Sequence, residues 1–315
     1  MITSAAPEKF GDWCVRAVEC GGLALDGGAM FGSAPRPLWE KLVPPDALNR
    51  IPLAMRLLLL ENTRLAVRVL VDTGIGDKYD AVFAERFAVR SPIPRPSAAR
   101  LPAADARLPL AIALNHLDLA LTDVTHVMLT HLHFDHGGGV SRRISTGTAT
   151  GELAPTFPHA LHFLQRRNLA TAERPNLRER ASYLPENVEP LRHVRLQLLD
   201  GAEEVLPGLS VLPSDGHTDG LQAVRLEGGG QVLYYLADLA PTHHHLHPAF
   251  TMGYDLCARE LMVEKQRLFQ RALDERAVIV FEHDSQVAAG RLGLKGEKFF
   301  LADSLRWSTS ATAET

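Results

Sequence analysis

A short segment near the middle of the chain concentrates residue types that bind metals. It reads Thr130-His131-Leu132-His133-Phe134-Asp135-His136 and is followed by three glycines. His131 and His133 share one side of an extended backbone, because side chains alternate along a strand. His136 can join them where the chain bends into a helix that begins near Asp135. Imidazole nitrogens and carboxylate oxygens bind zinc and similar divalent ions, so the segment predicts a metal site.

Three further candidate ligands follow predicted strands. His217 comes after a strand at 209–213, Asp238 ends one at 231–237, and His283 comes after one at 277–281. Each of them alone is an ordinary turn residue. Together with the His-rich segment, they put five histidines and two aspartates at the same kind of position. This repetition indicates that the strand ends contribute to one site.

Composition limits the chemistry of that site. The chain has 14 histidines and 3 cysteines, and the cysteines (Cys14, Cys20 and Cys257) form no CxxC pair. We therefore expect nitrogen and oxygen ligands, inert packed thiols and a reduced, cytoplasmic setting. The glycines at 137–139 are not followed by Gly-Lys-Ser/Thr, which argues against a phosphate-binding loop, and no GxSxG elbow offers a nucleophilic serine.

Charge and hydropathy argue against two classes of partner. The 315 residues carry a net charge of −4, which disfavours binding of nucleic acid through a basic face. No run of 18 apolar residues predicts a membrane helix, and residues 1–13 show no export signal. We expect a small-molecule substrate. Apolar stretches in the first third of the chain are compatible with a homodimer.

The elements that would carry these residues are strands and helices in two groups. Strands are predicted at 13–19, 53–60, 65–71 and 126–130 in the first half, and at 195–199, 209–213, 222–226, 231–237 and 277–281 in the second half. Helices are predicted at 81–89, 108–119 and 260–273. Gly228-Gly229-Gly230 predicts a hairpin turn between two of the strands. The pattern suggests two packed sheets with outer helices.

Residues 141–195 differ from the rest in composition. Arginine and proline are dense there and the apolar periodicity weakens. We predict a single domain over 1–315, in which 141–195 is an insertion of short helices that covers the active-site edge.

The ligand pattern resembles that of the metallo-β-lactamase-fold hydrolases, whose signature is HxHxDH followed by a histidine, a bridging aspartate and a final histidine. The resemblance covers nearly the whole chain, from the turn at residues 70–76 to His283. It implies an α/β fold, a four-layer αββα sandwich of two mixed β-sheets with outer helices. It implies one metal on His131, His133 and His217, a second on Asp135, His136 and His283, and Asp238 as the bridge.

The spacing between His136 and His217 resembles the acyl-homoserine-lactone lactonases and the methyl-parathion-type phosphotriesterases. The lactonases place a tyrosine three residues after the bridging aspartate, whereas this chain has Pro241. Tyr183 is our candidate replacement. Asp238 stands where true β-lactamases of this fold often have cysteine, and this disfavours antibiotic hydrolysis.

These features predict a dinuclear-metal-dependent hydrolase in which a metal-bridging hydroxide attacks a small ester, lactone or phosphoester. Asp135 and Asp238 are the predicted catalytic residues, and two zinc ions the expected cofactors, with manganese, cobalt or iron as alternatives. We expect Asp72 behind the ligands and His244 near the substrate. A single-iron oxygenase of the same fold, similar to persulfide dioxygenases, and a non-catalytic metal-binding protein remain open.

Overall fold

Strands supply most of the regular structure in this computed structural model, which describes residues 8–92, 101–102, 105–144 and 152–305. The strands are β1 (Glu8–Phe10), β2 (Trp13–Asp26), β3 (Arg50–Asn62), β4 (Val67–Val71), β5 (His126–Met128), β6 (Ser141–Ile144), β7 (Glu152–Pro155), β8 (Leu161–Gln165), β9 (Arg195–Leu199), β10 (Glu203–Leu206), β11 (Leu209–Ser214), β12 (Leu221–Gly228), β13 (Gln231–Tyr235), β14 (Val278–Val280), β15 (Ala289–Lys295) and β16 (Lys298–Leu305). The α-helices are α1 (Gly27–Phe31), α2 (Arg36–Trp39), α3 (Ala81–Arg86), α4 (Pro109–Asn115), α5 (Arg166–Glu173), α6 (Pro185–Val188) and α7 (Ala258–Asp274).

These strands form two large mixed sheets and one small hairpin. The first sheet has the order β1-β2-β3-β4-β5-β8-β9, and the second runs from β10 to β16 in sequence order. Pairing is antiparallel as far as β4 and parallel from β4 to β9, whereas in the second sheet only β13 and β14 pair in parallel. The predicted α/β fold with two mixed sheets and outer helices is confirmed.

Three separate apolar clusters hold the layers together. One lies between the two sheets, one lies between the first sheet and helices α1, α2 and α4, and one lies between the second sheet and α7. The leucine run of β3 shows how the sequence makes two of them, since Leu58 and Leu60 face the second sheet and Leu57 and Leu59 face the helices. A strand covered on both faces favours apolar residues at successive positions, which explains the run.

The turn between β12 and β13 agrees with its prediction. Gly228 pairs with Gln231, so the turn contains only Gly229 and Gly230. Their φ angles are 59° and 75°. A two-residue hairpin turn with two positive φ angles favours glycine at both positions, because glycine has no Cβ to clash.

The prediction that residues 141–195 form an insertion of short helices is wrong for the middle of the segment. Strand β8 lies there, paired in parallel with β5 on one side and β9 on the other. Its five residues include His162 and Gln165, and burial between two neighbours rather than apolar periodicity makes it a strand. Helices α5 and α6 do occur in the segment, while residues 145–151 lie outside the described residues.

Strands were also missed near the C-terminus, where β15 and β16 form an antiparallel pair. Their polar and apolar residues do not alternate strictly, and a register shift after Arg291 interrupts the period-two pattern. In the described part of the chain, no helix has both the length and the apolar character required to cross a bilayer.

Acid pH should destabilise the fold through a buried histidine of β8. Burial lowers the pKa of His162 to about 4, from 6.5. Between these two pH values the unfolded chain binds a proton at this histidine and the folded protein does not. The free energy of unfolding therefore falls as the pH decreases from about 6.5 to about 4. We expect His162→Leu to reduce the pH slope of the unfolding free energy by about 1.4 kcal/mol per pH unit in this window. Denaturant titrations in chelator, with the exposed His193→Gln as control, measure the slope, and an unchanged slope would contradict the prediction.

Candidate metal centre

The His-rich loop leaves β5 and is fixed in place by a neighbouring loop. The backbone N–H and the hydroxyl of Thr73 both donate to the carbonyl of His136 at 2.8 Å. A Cβ on Gly138 would lie 2.3 Å from the Ile75 carbonyl oxygen, so only glycine fits there. This close approach explains why the predicted helix at Asp135 is wrong. The chain makes turns instead, followed by a short 3₁₀ helix at Gly138–Val140.

All seven predicted ligand residues meet at one edge of the two sheets. The four histidine and aspartate side chains of the first group are His131, His133, His217 and Asp238, and the second group comprises Asp135, His136 and His283. Within each group the candidate donor atoms lie within 4.8 Å of one another, and every residue is buried. The first sheet supplies the residues at 131–136, and the second sheet supplies the other three.

Asp238 lies between the two groups. Its Oδ2 is 3.2 Å from Nε2 of His217, and its Oδ1 is 3.3 Å from Nε2 of His283. Oδ2 is also 3.6 Å from Nε2 of His136. One carboxylate therefore faces histidines of both groups, which is the arrangement that a bridging ligand requires.

The donor atoms fit divalent cations. Nε2 of His217 is 3.2 Å from Nδ1 of His133, and Nε2 of His283 is 3.2 Å from Nε2 of His136. Two nitrogens bound tetrahedrally at about 2.0–2.1 Å from one zinc ion would be about 3.3 Å apart. Nε2 of His131 is buried without a hydrogen-bond partner among the described residues. A cation would satisfy these nitrogens.

The histidine nitrogens that face away from the centre are held by acceptors. Nδ1 of His217 is 2.8 Å from Oδ1 of Asp255, and Nδ1 of His283 donates to the Ala54 carbonyl at 2.8 Å. Such contacts fix the tautomer and the orientation of a ligating imidazole and raise its basicity. They leave Nε2 of both rings directed at the centre.

His136 has two carboxylates behind it. Its Nδ1 lies 3.1 Å from Oδ2 of Asp72 and 3.1 Å from Oε2 of Glu282. Both carboxylates are fully buried. Burial, together with the nearby charge of Asp72, raises the pKa of Glu282 to about 7, against the lowering effect of His136.

Buried charges shift the other groups strongly. Burial, together with the neighbouring His136, His133 and His217, lowers the pKa of His131 well below its usual value. Burial alone would raise the pKa of Asp238, but the surrounding histidines hold it well below its usual range. So many ionisable groups are costly to bury unless opposite charges compensate them. The site therefore favours added positive charge.

Asp72 occupies the position behind the ligands that the sequence suggested. It has a positive φ of 59° at the end of β4. Its two oxygens accept from the backbone N–H of Thr130 at 2.7 Å and from the Thr130 hydroxyl at 2.6 Å. Asp72 thus joins the end of β4 to the start of the His-rich loop and to His136.

We expect Asp72→Asn to weaken binding of the second metal by about 10–100-fold while the protein stays folded. Asparagine tolerates a positive φ, and its single amide oxygen can still accept from the backbone N–H of Thr130, so the variant loses the charge behind His136 and the acceptor for the Thr130 hydroxyl. Stepwise titration with cobalt measures the effect. Asp118→Asn, also at a φ of 59° but in an exposed turn, is the control. Equal affinities in both variants would contradict the prediction.

The structure places Tyr183 beside a ligand histidine and His244 outside the ligand groups, and their contacts with a substrate stay predictions. The Tyr183 ring packs on His133, with centroids 4.7 Å apart, but its hydroxyl bonds Thr218 at 2.7 Å and accepts from Asn168 at 3.1 Å. These bonds leave it poorly placed to replace the lactonase tyrosine. His244 packs against His243 and lies outside the ligand groups, and burial lowers its pKa to about 4.

Sequence reasoning missed three carboxylates around the site. Glu282 directly precedes His283, and a second acidic residue beside a predicted ligand was a usable signal. Asp255 and Glu179 had no such signal. They lie 38 and about 46 residues from the histidines that they contact, His217 and His133, and only the folded chain brings them together.

Known proteins share both the sequence pattern and the fold. Residues 66–283 match the model of the metallo-beta-lactamase superfamily, and the chain belongs to this superfamily. An N-acyl homoserine lactonase from Bacillus thuringiensis subsp. kurstaki is 28% identical over 166 residues, which cover 51% of this chain and 56% of the relative. The match thus spans little more than half the length of that curated relative.

Two solved structures resemble the whole described fold. A probable metal-dependent hydrolase from Staphylococcus aureus superimposes with a TM-score of 0.78 at 25% identity, covering 95% of this chain and 100% of that one. AidC, a dizinc quorum-quenching lactonase, superimposes with a TM-score of 0.74 at 17% identity, covering 96% and 98%. At that identity, the second likeness concerns the fold.

Proposed function

We propose that the protein is a dinuclear metal-dependent hydrolase of small, uncharged esters or lactones. The observation that carries the proposal is the carboxylate of Asp238 between two complete groups of buried donors. The named activities of the relatives, lactonase and metal-dependent hydrolase, support the same class. Histidine nitrogens and carboxylate oxygens suit zinc, and manganese, cobalt or iron would suit the same ligands.

The residues of the proposed centre have different roles. His131, His133 and His217 would hold one ion, Asp135, His136 and His283 the other, and Asp238 both. Two such ions supply a hydroxide at neutral pH and polarise the electrophile. Asp135 would accept a hydrogen bond from the attacking oxygen and orient it. Asp72, Asp255 and Glu282 keep the imidazoles aligned.

Charge argues for an uncharged substrate. Six carboxylates surround the centre: Asp72, Asp135, Glu179, Asp238, Asp255 and Glu282. In the described residues, no lysine or arginine forms an ion pair with any of them. The nearby Arg56 is bound to Glu19 and to two backbone carbonyls. Two divalent ions would add four positive charges, which leaves the centre with a formal charge of about −2, so we expect a phosphodiester to be a poorer substrate than a neutral ester, lactone or phosphotriester.

We propose that an aromatic cluster next to the His-rich loop receives an apolar substituent of the substrate. Phe134 lies between the candidate ligands His133 and Asp135 in the sequence. Its ring is 5.3 Å from that of Phe83 and 5.4 Å from that of Phe87, centroid to centroid. Aromatic surfaces of this kind bind alkyl and aryl groups through the hydrophobic effect.

Metal analysis and a substrate panel test the proposal. We expect two divalent ions per chain and turnover of a p-nitrophenyl ester, an N-acyl homoserine lactone or a phosphotriester, with little turnover of bis-p-nitrophenyl phosphate. His133→Ala should lose metal and activity, whereas the exposed His159→Ala should keep both. One iron per chain with oxygen consumption would support the oxygenase instead, and full metal without turnover would support a binding protein.

A further inference from the structure

A buried hydrogen-bond network, which we call the Glu179 network, connects Glu179, Thr218, Tyr183 and Asn168. The Thr218 hydroxyl donates to Oε1 of Glu179 and bonds the Tyr183 hydroxyl at 2.7 Å. Nδ2 of Asn168 donates to the Tyr183 hydroxyl at 3.1 Å. All four side chains are at most 3% exposed. Because hydrogen bonds connect these buried polar groups to one another, the network holds the four side chains in one arrangement.

The network contacts the first ligand group from both sides. Oε1 of Glu179 is 3.6 Å from Nε2 of His133, the ring nitrogen directed away from His217. Oδ1 of Asn168 accepts from the backbone N–H of Leu132, between the two leading histidines, at 3.0 Å. Thr218 directly follows His217. The network therefore ties together the two loops that carry the histidines of this group.

The second ligand group depends on different residues. His136 is held by Asp72, at the end of β4, and by Glu282, next to β14. His283 is held by the carbonyl of Ala54 in β3. These supports belong to the sheets, whereas Asn168, Glu179 and Tyr183 belong to the segment at 166–183 outside the sheets.

We propose that Glu179, Tyr183 and Asn168 are positioning residues for the first metal, so that occupancy of this site and the folding of the 166–183 segment depend on each other. The inference rests on the proposed metal centre but not on catalysis. Coupling between ligand binding and local structure is reciprocal. Loosening the segment must weaken the first metal more than the second, and binding the first metal must protect the segment.

Paired variants separate positioning from general stability. Glu179→Gln removes the charge behind His133 and keeps the shape, and Tyr183→Phe removes one hydroxyl. Glu275→Gln and Tyr234→Phe are matched controls, because the Tyr234 hydroxyl donates to Oε2 of Glu275 at 2.5 Å in a pair away from the ligand groups. Each tyrosine variant loses one hydroxyl, and Glu275→Gln also loses ion pairs with Arg225 and Arg271, so it is the more severe test of general destabilisation.

Stepwise cobalt binding, followed by absorbance, is the first readout. We expect Glu179→Gln and Tyr183→Phe to raise the Kd of one cobalt ion by about 10–100-fold and to change the Kd of the other much less. The two controls should lower the melting temperature but leave both Kd values as in the wild type. Wild-type affinities in the first two variants, or equal weakening of both ions, would overturn the inference.

Limited trypsin digestion is the second readout and needs no activity. Arg178 and Arg180 are exposed and flank Glu179. We expect cobalt to slow cleavage after these residues in the wild type. The same protection in Glu179→Gln should need a higher cobalt concentration. Equal cleavage with and without cobalt would overturn the inference. Two bound ions without turnover would refute the proposed hydrolase function and leave this inference standing.

Discussion

Replacing Asp238 by asparagine is expected to lower kcat about a thousandfold or more and to leave fewer than two metal ions per chain. Its carboxylate oxygens face His217 at 3.2 Å and His283 at 3.3 Å, so one side chain serves both groups. Asparagine has nearly the same shape but only one good donor oxygen and no charge. A thousandfold loss corresponds to about 4 kcal/mol of transition-state stabilisation.

Metal content by elemental analysis and turnover on the active substrate check this result. Asp200→Asn is a suitable control, because Asp200 is an exposed carboxylate that pairs with Arg166. Its metal content and kcat should match the wild type. An Asp238→Asn enzyme that holds two ions and keeps its kcat would refute the bridging role.

Removal of the metals is expected to abolish turnover and to lower the melting temperature on the order of 10 °C. The metal-free centre leaves Asp238 and the surrounding histidines buried with too little compensating charge. An ion at a hundred times its Kd stabilises the folded state by about 2.7 kcal/mol, and two ions act together. Zinc, manganese or cobalt should restore both turnover and stability.

Calorimetry before and after chelation measures the shift, and dialysis into each metal measures the recovery. The Asp238→Asn protein provides an internal comparison, since it should respond much less to the chelator. If the chelated wild type kept its activity and melting temperature, neither half of the centre would hold a functional metal.

Local sequence was sufficient for the ligands at 131–136 because the geometry of that segment is local. The spacing of His131, His133 and His136 fixes their directions on one loop, and strand ends supply the rest. The family resemblance then grouped them, and the folded chain brings the same seven residues together. Asp72 could be predicted from the sequence for the same reason, because it follows a recognisable strand.

Residues whose contacts are distant in the sequence could not be predicted in this way. Glu179 lies in an Arg- and Pro-rich stretch and gains its role only when the segment folds against His133. Strand β8 is similar, because its partners β5 and β9 determine its conformation more than its own pattern does. Tyr183 was selected for its hydroxyl, which the fold instead directs to Thr218 and Asn168.

The convergence of both sheets on Asp238 has a mechanical consequence. Paired histidines within the two groups are 84 and 147 residues apart in the chain, so each bound ion closes a long loop. A removable cross-link of this kind opposes any opening that slides one sheet away from the other. Amide hydrogens at the ends of β4, β5, β13 and β14 should then exchange with solvent only after the ions have dissociated. Bound metal would therefore slow the separation of the two sheets.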